Sequence, residues 1–137
     1  MNYKKKNVII LLLSILGLFL GAILTSPSSF GLCSFKDKFC LDPYDELIGQ
    51  PLGLFSFSFF VISLIFLSQK EQTFKSWSKF TMIFLPIAVI LIAVTPAVQG
   101  SFIGFDREEV TLGLAIIFFV ASLLIIAVNY SKMKGDK

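Results

Sequence analysis

Histidine is missing from the 137-residue sequence, and only two cysteines are present. Protein zinc sites are built mainly from histidine and cysteine side chains, so we expect no metal centre. The sequence also has no phosphate-binding loop, no nucleophile elbow and no dinucleotide fingerprint. These absences disfavour an enzyme, and we expect no cofactor.

Charge is missing from four long apolar runs, at residues 8–24, 52–67, 80–98 and 110–128. An α-helix rises about 1.5 Å per residue, so a hydrocarbon core of ~30 Å needs about 20 apolar residues. The mean hydropathy of +0.84 agrees with four such spans. Ionisable residues inside spans mark ion paths and proton relays, so their absence disfavours an autonomous transporter.

We therefore predict an all-α integral membrane protein, with four transmembrane helices in one antiparallel up-down bundle and a single domain over residues 1–137. The predicted spans are about 7–25, 49–69, 79–98 and 107–130. The predicted outer loops are 26–48 and 99–106, and the predicted inner loop is 70–78. The first apolar run exceeds the about 7–15 residues of a signal-peptide core, so we expect an uncleaved anchor.

Basic residues are divided unevenly between the two sides of the predicted bundle. Nine of the twelve lie on the side of the two termini: Lys4, Lys5, Lys6, Lys70, Lys75, Lys79, Lys132, Lys134 and Lys137. The positive-inside rule predicts a plasma (inner) membrane protein with both termini in the cytoplasm. Seven of the nine acidic residues lie on the other side, so the predicted outer face is acidic. Tyr3, Trp77 and Tyr130 lie at the inner boundary, where interfacial aromatic rings are common.

Both cysteines, Cys33 and Cys40, lie in the first outer loop. Cysteines in an oxidising compartment usually pair, so we predict a structural disulfide. Seven helical positions would separate the Cα atoms by about 10 Å, whereas a disulfide needs ~4.4–6.8 Å, so the bond requires a turn between them. The four helices and outer cysteines also resemble membrane disulfide-generating enzymes of the quinone-linked type, which implies a thiol-disulfide oxidoreductase as an alternative. Those enzymes have a Cys-x-x-Cys motif and a second cysteine pair, and both are missing here.

The remainder of the first outer loop predicts a short helix on the outer membrane surface. Asp42 is a favourable N-cap and Pro43 suits the first helical position. Three apolar residues that follow share one helical face. We expect Gly49 to end this helix and Pro51 to begin the second span.

An outer acidic cluster is predicted from the two outer loops. Its members are Asp42, Asp45, Glu46, Asp106, Arg107, Glu108 and Glu109. Such a cluster would bind a basic partner or a divalent cation, because Ca²⁺ takes oxygen ligands. The alternative is helix capping, since Asp106 and Glu109 have the spacing of a capping box. A further hypothesis pairs Arg107 with Asp42 or Glu46.

Two features of the spans concern packing. Gly17 and Gly21 are four positions apart, and small residues at this spacing let two helices approach closely. We favour packing inside the monomer over dimerisation. In the third span Pro86 leaves the Met82 carbonyl without its helical donor, which predicts a kink.

The predicted function is that of a non-enzymatic membrane protein whose acidic, disulfide-bonded outer face engages a membrane or extracytoplasmic protein partner or supports a membrane assembly. The lipid bilayer is the other expected partner. No nucleic acid is expected, because the basic residues lie at membrane boundaries. A transporter or pore subunit, with a polar stripe from Ser56, Ser63, Thr95 and Thr111, is a further alternative to the oxidoreductase.

Overall fold

Four long helices dominate the computed structural model, which describes residues 3–30, 45–95 and 106–135. They are α1 (Tyr3–Thr25), α2 (Gln50–Phe66), α3 (Glu71–Val94) and α4 (Arg107–Gly135). A 3₁₀ turn, Pro27–Phe30, follows α1, and a π-helical turn, Asp45–Gly49, leads into α2. Each long helix, α2 together with the end of the π turn, is long and apolar enough to cross a bilayer. The protein is therefore a small helical membrane protein with four spans.

The helices α1 and α2 form a closely packed antiparallel pair. Near the start of α1, the Tyr3 hydroxyl donates to the Gln69 carbonyl just beyond α2, at 3.1 Å. Near the other end of α1, a Cβ atom placed on Gly21 would lie only 2.8 Å from the Cα and N atoms of Gly53 in α2. The backbones of α2 and α4, and those of α4 and α3, also approach each other closely.

A cluster of aromatic rings forms the core between α2, α3 and α4. Phe118 of α4 is fully buried, and its ring centroid lies 5.1 Å from that of Phe59 and 5.9 Å from that of Phe80. Trp77 of α3 is 1% exposed and packs against Phe66 of α2 at 5.0 Å. Lipid tails are as apolar as these helices, so shape-matched packing rather than water exclusion holds them together. Aromatic pairs of this kind contribute about 0.5–1.5 kcal/mol each beyond their buried area.

The helix α3 begins at Glu71, within the residues 70–78 that are predicted as the inner loop. A helix can continue beyond the hydrocarbon, so the bounds of that loop stay a prediction. The first two turns of α3 bury Thr73, Phe74 and Trp77 while Lys75 and Lys79 stay exposed. This is an amphipathic pattern with the period of a helix, and a search for uncharged runs misses it because the polar face carries lysines.

The predicted surface helix lies largely outside the described residues, since 31–44 are not among them. Its last part, Asp45–Gly49, forms a turn that joins α2 without the break predicted at Gly49, which has helical angles of φ −61° and ψ −57°. Packing explains the difference, because a Cβ atom on Gly49 would lie 3.1 Å from the Leu24 Cβ atom. The small residue thus admits α1 instead of ending a helix. Pro51 lies in the first turn of α2.

Candidate functional site at the acidic end of the bundle

An open groove of about 440 Å³ lies between α1, α2 and α4, at the end of the bundle where α4 begins. Three of its lining residues are glycines, namely Gly21, Gly49 and Gly53. Glycine has no side chain to fill the space beside the close α1–α2 contact, so a hollow remains on the α4 side. Gln50 and Glu108 supply polar groups to a lining that is otherwise mostly apolar. Volumes of about 300–1,000 Å³ are usual for binding sites of small ligands.

The approach of α1 to α2 continues one turn deeper, at the other predicted packing glycine. A Cβ atom on Gly17 would collide with the Ser56 hydroxyl and would lie 3.1 Å from the Ser56 Cβ atom. The structure therefore places both Gly17 and Gly21 inside the monomer, against α2. Their close approach fixes the two helices that form one wall of the groove.

The amino end of α4 carries the described part of the acidic cluster. The Asp106 Oδ1 atom accepts a hydrogen bond of 2.9 Å from the Glu109 backbone N–H. Asp106 thus acts as the N-cap of α4, which agrees with the capping alternative predicted from the sequence. Glu108 and Glu109 are exposed in the first turn, where the helix dipole favours negative charge. Two carboxylates therefore remain open to solvent or to a ligand.

Arg107 connects α4 to the end of α3. Its Nε atom donates to the Thr95 backbone carbonyl at 3.0 Å. The last carbonyls of a helix have no partner within the helix, and a cation is favourable there. Within the described residues, the hydrogen-bond acceptor of Arg107 is thus a backbone carbonyl and not a carboxylate. The hypothesised ion pair with Asp42 or Glu46 stays a prediction, because Asp42 and the Glu46 side chain lie outside the description.

Other predicted site residues fall in different places. Cys33 and Cys40 lie outside the described residues, and Asp45 is described only in its backbone. Pro86 lies inside α3, which continues past it to Val94. Of the predicted acidic cluster, the structure therefore describes the side chains of residues 106–109 alone.

The four residues of the alternative polar stripe are also placed. Ser56 packs at the α1 contact, and the Thr95 hydroxyl bonds to the Leu91 carbonyl of its own helix at 2.7 Å. Ser63 and Thr111 are fully buried. Ser56 and Thr95 thus serve separate local contacts.

Two buried hydrogen bonds at the opposite end were not anticipated from the sequence. The Asn7 Nδ2 atom donates to the Ser63 carbonyl at 3.0 Å, and the Trp77 Nε1 atom donates to the Ser122 hydroxyl at 3.0 Å. All four residues are at most 2% exposed: Asn7 2%, Ser63 0%, Trp77 1% and Ser122 0%. Both bonds join different helices, so these polar groups hold the bundle together. In the sequence, the one indication of the first bond is the polar Asn7 at the start of an apolar run.

Comparison of the chain with protein families, with curated proteins and with solved structures gives no match. The fold itself defines the class: a small multi-pass membrane protein, with four candidate helical spans among the described residues. We therefore infer a function from the charged and apolar groups at the two ends of the bundle.

Proposed function

We propose that the protein is a non-enzymatic membrane protein whose acidic end engages a basic protein partner, or holds such a partner in a membrane assembly. The observation that supports this most directly is the pair of exposed carboxylates, Glu108 and Glu109, beside an apolar groove. Apolar surface supplies contact area, and the carboxylates supply selectivity for a basic side chain.

The interior of the bundle supports the same proposal. Charged residues in the described part of the chain lie near the helix ends, at 4–6, 45–46, 70–79, 106–109 and 132–134. A proton- or ion-coupled activity usually needs an ionisable group inside a span. Polar groups such as Asn7 and Trp77 bond to neighbouring helices instead. Recognition at an end of the bundle is therefore favoured over chemistry within it.

The proposed binding geometry follows from the lining of the groove. An apolar side chain of the partner would occupy the space beside Gly21 and Gly53, and a basic group would meet Glu108 at the rim. Binding energy at interfaces concentrates where one anchor side chain fills a pocket and polar groups surround it.

The orientation and the disulfide belong to the proposal as well. The acidic end would face the outside, with both termini cytoplasmic and a Cys33–Cys40 bond constraining the first outer loop. Trapping thiols in cells tests the bond, with Cys33→Ala and Cys40→Ala as references. A permanently oxidised internal pair supports a structural disulfide. Mixed disulfides with other proteins would instead support the oxidoreductase alternative.

Affinity purification in mild detergent tests partner binding, using the wild type, Glu108→Gln and a matched control, Glu71→Gln. Both glutamates lie in the first turn of a long helix, so each variant loses a dipole interaction, and Glu71→Gln additionally loses an exposed ion pair with Lys75. An exposed ion pair is worth up to about 1 kcal/mol, so we expect Glu108→Gln to retain up to about fivefold less partner. Glu71→Gln should retain as much as the wild type. A wild-type protein that is monodisperse and free of any partner would contradict the proposal.

A further inference from the structure

A second groove, of about 540 Å³, lies at the lysine-rich end of the bundle between α1 and α3. The helix α1 packs on α2, and α3 packs on α4, so α1 and α3 leave an opening between them. Both helices begin at this end and run in the same direction. The groove therefore starts at the boundary of the bundle and descends along the surfaces of two spans.

The upper part of the groove is positively charged. Lys6 of α1 and Lys75 and Lys79 of α3 line it, together with a single acidic residue, Glu71. Lys75 and Glu71 form an ion pair of 3.0 Å, with side chains 70% and 51% exposed. Within the described residues Lys6 and Lys79 have no acidic partner. Three lysines and one glutamate give the groove a net formal charge of +2.

The lower part of the groove is apolar. Ile9 and Ile10 lie about one helical turn below Lys6, and Met82 lies about one turn below Lys79. Met82 is 76% exposed in the bundle, although it lies in a candidate span. The groove is thus complementary to an amphiphile that lies parallel to the helices, with its charged group at the boundary and its apolar part beneath it.

The edge of the groove is held in position by contacts at the start of α1. The Tyr3 hydroxyl donates to the Gln69 carbonyl, and the Tyr3 ring lies 6.4 Å from the Phe74 ring, measured between centroids. Tyr3 and Phe74 both line the groove. The ends of α1 and α3 are thereby fixed relative to each other.

We propose that this groove binds one anionic phospholipid, with its phosphate at Lys6 and Lys79 and an acyl chain along Ile9 and Met82. A free phosphate would satisfy the lysines but would leave the apolar part unused. An acidic peptide would need the groove to open towards water along its whole length, whereas Ile9 and Met82 lie in candidate spans. Basic pockets between transmembrane helices are suited to anionic headgroups. The inference does not depend on the partner proposed at the acidic end.

Native mass spectrometry of the full chain in mild detergent, with equal amounts of phosphatidylglycerol and phosphatidylcholine, tests the proposal. The wild type should retain phosphatidylglycerol in preference to phosphatidylcholine. Each lysine near an anionic surface changes binding by about fivefold, so Lys6→Gln/Lys79→Gln should bind phosphatidylglycerol roughly 25-fold more weakly. Its phosphatidylcholine binding should not change.

Lys4→Gln/Lys132→Gln is the matched control, because it removes the same charge from two exposed lysines outside the groove. It should change phosphatidylglycerol binding by less than about twofold, because neither lysine lies at the proposed phosphate position and salt screens charges beyond about one Debye length. An equal loss in both double variants would overturn the proposal in favour of general surface attraction. Equal retention of the two lipids by the wild type would also overturn it. Displacement of phosphatidylglycerol by millimolar inorganic phosphate would point to a site for free anions instead.

Discussion

Replacing Gly21 by alanine is expected to destabilise the bundle by separating α1 from α2. The new Cβ atom would lie 2.8 Å from the Cα and N atoms of Gly53 and 3.3 Å from the Gly49 carbonyl oxygen. These are backbone atoms, so no rotamer change relieves the collision. Overpacking of this kind costs about 1–3 kcal/mol.

A gain in helix propensity offsets part of that cost. Alanine is more favourable than glycine within a helix by roughly 0.5–1 kcal/mol. Subtracting this gain from the cost of overpacking leaves a net loss of up to about 2.5 kcal/mol for Gly21→Ala. Gly17→Ala should cost less, because the nearest atom there is the Ser56 hydroxyl, which can rotate away.

Two glycines provide matched controls. Neither Gly53 nor Gly113 has an atom within 4 Å of its added Cβ position, so Gly53→Ala and Gly113→Ala should be neutral or stabilising by up to about 1 kcal/mol. The pair Gly21 and Gly53 is informative because the two residues face each other, yet only one of them resists a methyl group.

Equilibrium unfolding in mixed micelles of a mild detergent and sodium dodecyl sulfate measures these free energies. The single tryptophan, Trp77, is 1% exposed in the core, so its fluorescence reports loss of packing. If Gly21→Ala were as stable as Gly113→Ala, the close contact between α1 and α2 would be refuted. A change of oligomeric state at unchanged monomer stability would show that the glycines serve dimerisation.

Three further substitutions probe single hydrogen bonds, each measured by the same unfolding titration with circular dichroism as the readout, because the double variant lacks the only tryptophan. Ser122→Ala should cost about 1–2 kcal/mol because the buried Trp77 N–H loses its acceptor, and a double variant with Trp77→Phe should show less than the additive cost. Asn7→Ala should cost about 0.6 kcal/mol, the average for hydrogen bonds between membrane helices, and at most about 1.7 kcal/mol; an unchanged midpoint would contradict the contact with α2. Asp106→Ala should cost about 1 kcal/mol through loss of the N-cap, whereas Glu108→Ala, which accepts no such bond, should cost less; equal costs would count against the cap.

The helical spans could be predicted from the sequence because hydrocarbon imposes a simple rule. Runs without charge, such as 110–128, must satisfy their backbone as helices. The start of α3 cannot be predicted from the same rule, because Lys75 and Lys79 interrupt the apolar pattern there. Length and charge thus predict where a chain enters the hydrocarbon, but not where a helix begins outside it.

The position of Trp77 shows a second limit of sequence patterns. A tryptophan beside lysines is typical of an interfacial ring, yet Trp77 lies inside the bundle with its N–H on Ser122. Which face of an amphipathic turn meets another helix depends on the partner helix, and sequence spacing alone does not supply it. Arg107 is similar, because its carbonyl acceptor at Thr95 is twelve residues away and carries no side-chain signal.

The capping role of Asp106, by contrast, follows from local spacing, because donor and acceptor are three residues apart. Contacts of that range can be predicted from the sequence most directly. The charged residues at 106–109 are also visible in the sequence, but the groove beside them is not, because it arises from glycines outside α4.

The most direct test of the account is the topology of the chain in the membrane. A dual reporter at the carboxyl end combines a fluorescent protein that matures only in the cytoplasm with a phosphatase active only after export. Four crossings with lysine-rich ends held inside predict fluorescence without phosphatase activity, together with a protein that requires detergent for extraction. Phosphatase activity without fluorescence, or a chain that stays in solution without detergent, would contradict the account.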